Sequence, residues 1–118
     1  MNTPTSYQQG LLAEERAACF LESKGYHILH KRFKISVGEI DLIAQDAEYL
    51  IFVEVKFRQQ MTEALEALSL RQQRRILAAA ESFLAENPCF TRHFLRFDVI
   101  GMTPTAQQHI EGAFWQEI

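Results

Sequence analysis

The sequence of 118 residues lacks several features that would place it in a familiar class of protein. It has no apolar run of about 18 residues, which excludes a transmembrane helix. Its N-terminus, MNTPTSYQQG, has neither the basic start nor the apolar core of a signal peptide, so we expect a cytoplasmic protein with no membrane partner. The patterns GxxxxGK[ST], GxGxxG and GxSxG are also missing, which argues against nucleotide kinases, dinucleotide enzymes and serine hydrolases.

Cysteine and excess positive charge are scarce as well. The only cysteines, Cys19 and Cys89, form no CxxC pair, which favours two free thiols over the alternative of a single disulfide. No Cys or His cluster offers a zinc site. The formal net charge of −3 argues against a general electrostatic binder of nucleic acid, but it is compatible with local basic patches beside an acidic site. Three basic clusters occur, at 31–34, 56–58 and 71–75.

The sequence does contain an organising stretch, GEIDLIAQDAEYLIFVEVKFR, which predicts two strands joined by a short polar turn. The predicted strands are 38–44 and 50–57, and the turn is 45–49. Because side chains alternate along a strand, we expect Glu39 and Asp41 to share one face, and Glu54 and Lys56 to share one face of the next strand. Charges embedded in hydrophobic strands are costly unless they are paired or bind a metal, so their placement needs a reason.

The remaining sequence predicts an α/β fold with a mixed central sheet flanked by helices, in the order α-β-β-β-α-β and in a single domain over 1–118. A loose tail is expected over 1–6, and an aromatic segment at 109–115 is expected to dock on the core. The other predicted elements are a helix over 8–24 that ends at Gly25, a strand over 26–32, a mostly helical segment over 61–86 that ends at Asn87-Pro88, and a strand over 95–102.

Charged and titratable residues outside the central stretch have competing interpretations. Glu14 falls inside the apolar stripe of the first helix and should point towards the body of the protein as a functional acid; the alternative is that it pairs with a buried arginine or extends out to solvent. Arg96 and Asp98 share a strand face, where a structural ion pair is the preferred explanation. His27 and His30 are three residues apart, on opposite strand faces, which favours surface or hydrogen-bonded histidines over a metal site.

The acids of the central stretch suit a specific chemistry. Glu39, Asp41 and Glu54 supply the hard oxygen ligands that Mg²⁺ or Mn²⁺ prefers. Asp41 and Glu54 lie on paired strands and can converge on one ion, while Lys56 lies one pleat further along and can orient an attacking water. This set meets the requirement for metal-assisted phosphodiester hydrolysis. The alternative is a cross-strand ion pair on a solvated face, because a Glu-x-Lys pattern alone is weak.

In context, the pattern resembles the PD-(D/E)xK nuclease superfamily, whose restriction-endonuclease-like fold is also used by archaeal Holliday-junction resolvases. More closely, the chain resembles the YraN-like family of uncharacterised bacterial proteins. The matching pieces span nearly the whole chain: Gly10, Glu14 and Ala17-Ala18; Gly25-Tyr26; Gly38 to Ala44; Phe52 to Lys56 with Arg58; Arg96 to Ile100; and Ala113-Phe114.

The resemblance implies a role for each matching residue. Asp41 and Glu54 would be metal ligands, Lys56 the catalytic lysine, Glu14 a supporting acid and Glu39 an additional acid of the metal site. Predicted nucleic-acid contacts lie on the basic clusters and the long helix: Lys34, Arg58, Gln72 and Arg75. The family usually has a lysine where this chain has Gln72, and often a glycine shortly after the position of Arg58, whereas 59–64 contains none.

Three functions follow from these features. The first is a Mg²⁺- or Mn²⁺-dependent endonuclease acting on structured nucleic acid, with DNA favoured over RNA. The second is a non-catalytic nucleic-acid-binding module of the same fold, in which the arginines at 71–75 contact nucleic acid. The plainer interpretation of these arginines is a solvated basic face of the helix. The third is an interaction domain whose acids are structural. A homodimer is compatible with each, because a domain of this size has little surface with which to bind a duplex alone.

Overall fold

The computed structural model describes residues 3–114, which form an α/β fold with a five-stranded mixed sheet. The elements are α1 (Ser6–Ser23), β1 (His27–Ile35), β2 (Gly38–Gln45), β3 (Tyr49–Phe57), α2 (Met61–Glu66), α3 (Leu70–Glu86), a 3-10 turn (Pro88–Phe90), β4 (Phe94–Met102) and β5 (Gln107–Ile110). The predicted fold class and the α-β-β-β-α-β order are confirmed.

The strands lie in the order β1-β2-β3-β4-β5. Three of the four neighbouring pairs are antiparallel, and β3 and β4 are parallel. A parallel pair needs a long crossover connection, which α2 and α3 supply here. The sheet is therefore a meander of three strands to which the crossover adds β4 beside β3.

Helices cover both faces of the sheet, and each encloses an apolar cluster. The α1 side buries Ala13, Ala17, Ala18 and Leu21 of the helix against Leu42, Ala44, Ile51, Val53, Ile100 and Met102. The α3 side buries Ile76, Leu77, Ala79, Ala80 and Phe83 against Ile40, Ile43, Leu50, Phe52 and Phe97. Because the central strands are buried on both faces, they read as nearly continuous apolar runs.

The backbone of β2 lies close against α3 at Gly38. A Cβ atom placed on Gly38 would lie 1.9 Å from the carbonyl oxygen of Arg75, a distance that no side chain tolerates. Only glycine therefore fits at this position. Gly38 consequently allows the start of β2, and with it the first acids of the central stretch, to lie directly against α3.

Helix α1 begins two residues earlier than predicted. Thr5 forms a capping box with Gln8, in which the Thr5 hydroxyl accepts from the Gln8 N–H and the Gln8 side chain accepts from the Thr5 N–H. The loose tail expected over 1–6 therefore gives way to ordered helix-capping structure from Thr5. Residues 1 and 2 lie outside the described residues.

The segment 61–86, predicted to be mostly helix, is divided in two, because α2 ends at Glu66 and α3 begins at Leu70. Ser69 interrupts it: its hydroxyl accepts from the Gln72 N–H at 3.1 Å, and the Gln72 side chain accepts from the Ser69 N–H at 3.1 Å. This capping box starts a new helix in place of continuing the old one.

The C-terminal segment differs in part from its prediction. Residues expected only to dock on the core include a fifth strand, β5, which pairs with β4 from Val99 to Met102. Phe114 does pack on the core, with its ring centroid 5.1 Å from that of Phe97. Trp115, the other aromatic of this prediction, lies outside the described residues.

Two expectations drawn from missing features can be compared with the structure. Cys19 and Cys89 are both free and exposed, in agreement with the favoured reading of two thiols. Among residues 3–114, no helix has the length and apolar character needed to cross a membrane.

Candidate active site

The site forms where β2 and β3 separate. Their ladder runs from Gln45 paired with Leu50 to Leu42 paired with Val53. Beyond that point the start of β2 pairs with β1, and the end of β3 pairs with β4. The two strands thus diverge and open a cleft at one end of the sheet; we call the point of divergence, just before Leu42 and just after Val53, the fork. Asp41 stands at the fork, and its Oδ2 accepts the backbone N–H of Val55 at 2.7 Å.

An irregularity in β1 lies opposite the fork. Arg32 has φ of 55°, in the left-handed region that a non-glycine residue rarely adopts, and its neighbours Lys31 and Phe33 pair with Leu42 and Ile40. Ile40 packs on the α3 side of the sheet whereas Leu42 packs on the α1 side. The regular alternation that predicted a shared face for Glu39 and Asp41 therefore does not extend through Asp41.

The structure brings four of the predicted site residues together in one cleft of about 340 Å³: Glu14, Asp41, Glu54 and Lys56. Glu14 comes from α1, Asp41 from the fork of β2, and the other two from the end of β3. Arg58 also lines this cleft, and its guanidinium donates to the carbonyl oxygen of Phe57 at 2.7 Å. The N-terminal half of α1 forms the opposite wall.

Burial disfavours the ionised form of all three carboxyl groups, and the charge of Asp41 adds to this effect on the other two. Burial is the main cause that raises the pKa of Glu54 to about 8, and the negative charge of Asp41 adds to it. Burial likewise raises the pKa of Glu14 to about 7, again with a contribution from Asp41. The pKa of Asp41 is also raised by burial, although the Val55 N–H and Lys56 oppose the shift. Ionisation of all three carboxyl groups together is therefore disfavoured in the cleft.

Two cations offset part of this charge. Lys56 Nζ lies 3.3 Å from Glu54 Oε1, and the two side chains are only 10% and 12% exposed. Arg32 Nε lies 3.6 Å from Glu14 Oε2. The Arg32 guanidinium also donates to the Tyr7 hydroxyl at 3.1 Å and stacks 5.3 Å from the centre of the Tyr7 ring. Neither Tyr7 nor the support that Arg32 gives to Glu14 was predicted, because both depend on the unusual backbone at Arg32.

The donor set suits a divalent metal ion. The clustered groups are carboxylates whose mutual repulsion a dication would relieve, and carboxylate oxygens are the usual protein ligands of Mg²⁺ and Mn²⁺. Within residues 3–114, no three His, Cys, Asp or Glu side chains are placed to hold one ion jointly. Mg²⁺ commonly uses one or two carboxylates and keeps several waters, so Asp41 and Glu54 would suffice to hold it.

Comparison with known proteins identifies the family. The model of a family described as "Uncharacterised protein family UPF0102" matches residues 13–102, which include Glu14, Asp41, Glu54 and Lys56. The chain belongs to the UPF0102 family. The resemblance noted from the sequence is thereby confirmed at the level of the family.

Relatives of this UPF0102 chain match it over most of its length. A UPF0102 protein from Rhodopseudomonas palustris (strain BisB5) is 48% identical over 92% of this chain and 84% of its own. One from Azorhizobium caulinodans is 46% identical over the same shares. One from Bradyrhizobium diazoefficiens is 41% identical over 92% of this chain and 83% of its own. Their names give the family and no activity.

The other predicted residues of the UPF0102 site lie around the cleft. Glu39 is exposed and 4.0 Å from Lys34, and neither lines the cleft of Asp41 and Glu54. Gln72 and Arg75 line a separate hollow of about 30 Å³, together with Glu39 and the other side of Glu54. Glu39 and Lys34 also line a hollow of about 180 Å³ together with Glu14 and Asp41. The structure therefore places the other four predicted residues in hollows beside the main cleft and not within it.

A second buried acid of the UPF0102 chain has a different environment. The Asp98 side chain is fully buried and accepts from both Nε and Nη2 of Arg96 at 2.8 Å, from His109 Nε2 at 2.7 Å and from the Gly112 N–H at 3.0 Å. These hydrogen bonds outweigh the effect of burial and lower its pKa. The structural ion pair expected for Arg96 and Asp98 is present.

Proposed function

We propose that this UPF0102 chain is a metal-dependent nuclease that hydrolyses phosphodiester bonds in DNA or structured nucleic acid. The observation that carries the proposal is the set of three carboxyl groups with raised pKa values, Glu14, Asp41 and Glu54, gathered with Lys56 in an open cleft. A solvent-accessible cleft containing acids with raised pKa values is a common property of catalytic sites. The proposed cofactor is Mg²⁺ or Mn²⁺.

Asp41 and Glu54 are the proposed ligands. The Val55 N–H fixes one oxygen of Asp41, which orients the carboxylate and leaves Oδ1 for a ligand. When bound, the metal would neutralise phosphate oxygens and lower the pKa of a water. It would also stabilise the ionised form of Glu54, whose pKa is raised in its absence.

Lys56 and Glu14 have proposed roles beside the ligands. Lys56 Nζ, held 3.3 Å from Glu54 within a nearly buried site, can donate to a phosphate oxygen and steady its developing charge. Glu14, with a pKa of about 7, can accept a proton from water at neutral pH. Arg58 on the rim, with Lys34 and Arg75 nearby, would contact flanking phosphates.

The test is cleavage of a four-way DNA junction, a nicked duplex and a single strand by purified protein in Mg²⁺ or Mn²⁺. Asp41→Asn and Glu54→Gln should abolish cleavage, and Lys56→Met should lower its rate by about 100-fold or more. Glu86→Gln is the matched control, because Glu86 is an exposed acid at the end of α3. Cleavage that is absent in the wild type, or equal in wild type and Asp41→Asn, would reject the proposal.

A non-catalytic nucleic-acid-binding module is the second candidate, and Gln72 is the observation that favours it. The Gln72 side chain is engaged in capping α3, so it is not free to replace the lysine that the family resemblance leads us to expect there. Salt-dependent binding of DNA that survives both Asp41→Asn and Lys56→Met, without cleavage by the wild type, would establish this alternative.

A further inference from the structure

One wall of the cleft is formed by the N-terminal half of α1. Ser6, Gln9, Gly10, Ala13 and Glu14 all line the cleft, at the spacing of three and four residues that marks one face of a helix. Further along α1, the same face is buried against the sheet. Its N-terminal half overhangs the fork, where the strands have separated and leave space.

Gly10 is the unexplained member of this wall. Glycine in the interior of a helix lowers stability relative to alanine, so its presence there needs a cause. It does not have the positive φ of Gly25 and Gly112. A Cβ at Gly10 would meet no atom within 4 Å, so close packing inside the described chain does not require glycine either.

The part of this wall that precedes Glu14 differs from the rest of α1 in charge. Residues 6–13, SYQQGLLA, contain no acidic side chain, whereas Glu14, Glu15 and Glu22 follow. The helix N-terminus adds a partial positive charge. An anion can therefore approach the acidic cleft along this wall with less repulsion than from the fork, where Asp41 lies.

We propose that a phosphodiester backbone lies along the N-terminal half of α1, and that Gly10 leaves the space into which this backbone fits. The Ser6 hydroxyl and the Gln9 amide provide hydrogen-bonding groups for its phosphate oxygens. The inference rests on the proposed function, because it places the substrate strand between this wall and the four cleft residues. Glycine is the usual residue where a ligand approaches the backbone closely.

The test is a size series at position 10, with binding of a fluorescein-labelled four-way DNA junction measured by anisotropy in Ca²⁺, chosen as a divalent ion with which we expect slow cleavage. Gly10→Ala should raise Kd a few-fold and Gly10→Leu by about tenfold or more, because a misplacement of about 1 Å is already costly in such a site. Ala85→Leu is the control, since it adds hydrocarbon at an exposed position of α3 outside the cleft. Its Kd should equal that of the wild type.

Thermal unfolding separates this inference from a structural role for Gly10. Gly10→Ala should raise the Tm by about 2–5 °C, because alanine favours the helix. If Gly10 were needed for packing, the same change would lower the Tm. A Kd unchanged in Gly10→Leu would overturn the inference, whereas a wild type that binds no DNA would overturn the proposed function itself.

Discussion

Asp41 and Asp98 are both aspartates in central strands, yet their surroundings shift their pKa values in opposite directions. Asp98 accepts four hydrogen bonds, two of them from Arg96, and its pKa is lowered. Asp41 accepts one backbone N–H and lies beside two further acids, and its pKa is raised. The sheet is the same, so the difference comes from the groups that the neighbouring elements supply.

This difference separates an acid that stabilises the fold from an acid whose environment does not stabilise its charge. The partners of Asp98 come from β4, β5 and Gly112, so the aspartate fastens the C-terminal segment to the sheet. The carboxyl neighbours of Asp41 come from α1 and β3, and the charge of Asp41 raises the pKa of both where the chain has opened a cleft. Such repulsion costs stability and is explained if a cation from solution completes the site.

The largest expected effect is at Asp98. Asp98→Ala would leave the Arg96 guanidinium, whose side chain is 15% exposed, without its main partner, and would release His109 and the Gly112 N–H. We expect the free energy of unfolding to fall by about 3–5 kcal/mol, the usual cost of breaking a buried ion pair from one side. Urea denaturation at neutral pH measures it.

The Arg96→Met/Asp98→Ala double variant is the control for this prediction. Because it removes both charges, it should be less destabilised than the sum of the two single changes. A loss below about 1 kcal/mol in Asp98→Ala, within the range of ordinary surface pairs, would show that Asp98 does not fasten the segment.

How much of this contrast the sequence predicts depends on the range of the interactions. Glu14, Glu54 and Lys56 were predicted to point into one site by helix and strand periodicity. Asp41 was predicted to join them from the pairing of its strand with that of Glu54 and from the family resemblance, because the alternation expected for its own strand is broken there. The partners of Asp98 were only half predicted. Arg96 is two residues away on the same strand, but His109 reaches Asp98 through β5, whose sequence QQHI shows no apolar alternation.

Two local irregularities, the break between α2 and α3 and the left-handed backbone of Arg32, differ in how well the sequence predicts them. Ser69 followed by Gln72 is a capping-box pattern, so the break between α2 and α3 was readable although the prediction ran through it. The φ of 55° at Arg32 had no comparable signal, because a left-handed arginine is recognisable only from the strand pairing around it. This explains why the contacts of Arg32 with Glu14 and Tyr7 became visible only in the structure.

The two regions should respond to pH in opposite directions. Glu54 and Glu14 have pKa values raised from 4.5 to about 8 and about 7, so between about pH 4.5 and pH 8 the folded chain binds more protons than the unfolded chain. Their contribution to stability therefore falls as pH rises through this window. Asp98, with a pKa lowered from 3.8, contributes stability above that value and loses it as pH falls through its folded pKa.

In EDTA we expect unfolding at about pH 8.5 to require about 2 kcal/mol less than at about pH 5.5, measured by urea denaturation. The Glu14→Gln/Glu54→Gln variant is the control and should lose most of this slope, because its cleft no longer contains the two titrating acids. A slope that persists unchanged in that variant would place its origin outside the cleft.

The smallest expected change in stability is that of Asp41→Asn, and it tests the contrast between Asp41 and Asp98 most directly. Asp41→Asn keeps an oxygen that can accept the Val55 N–H and removes the charge that repels Glu14 and Glu54. In EDTA at neutral pH it should therefore stabilise the fold, by about 1 kcal/mol, whereas Asp98→Asn should destabilise it. Addition of Mn²⁺ should raise the Tm of the wild type and leave that of Asp41→Asn unchanged, because the ion needs the carboxylate that has been removed. If Asp41→Asn were destabilising in EDTA to the same extent as Asp98→Asn, both aspartates would be structural. The charge of Asp41 would then not destabilise the cleft, and a metal ion would have no repulsion to relieve there.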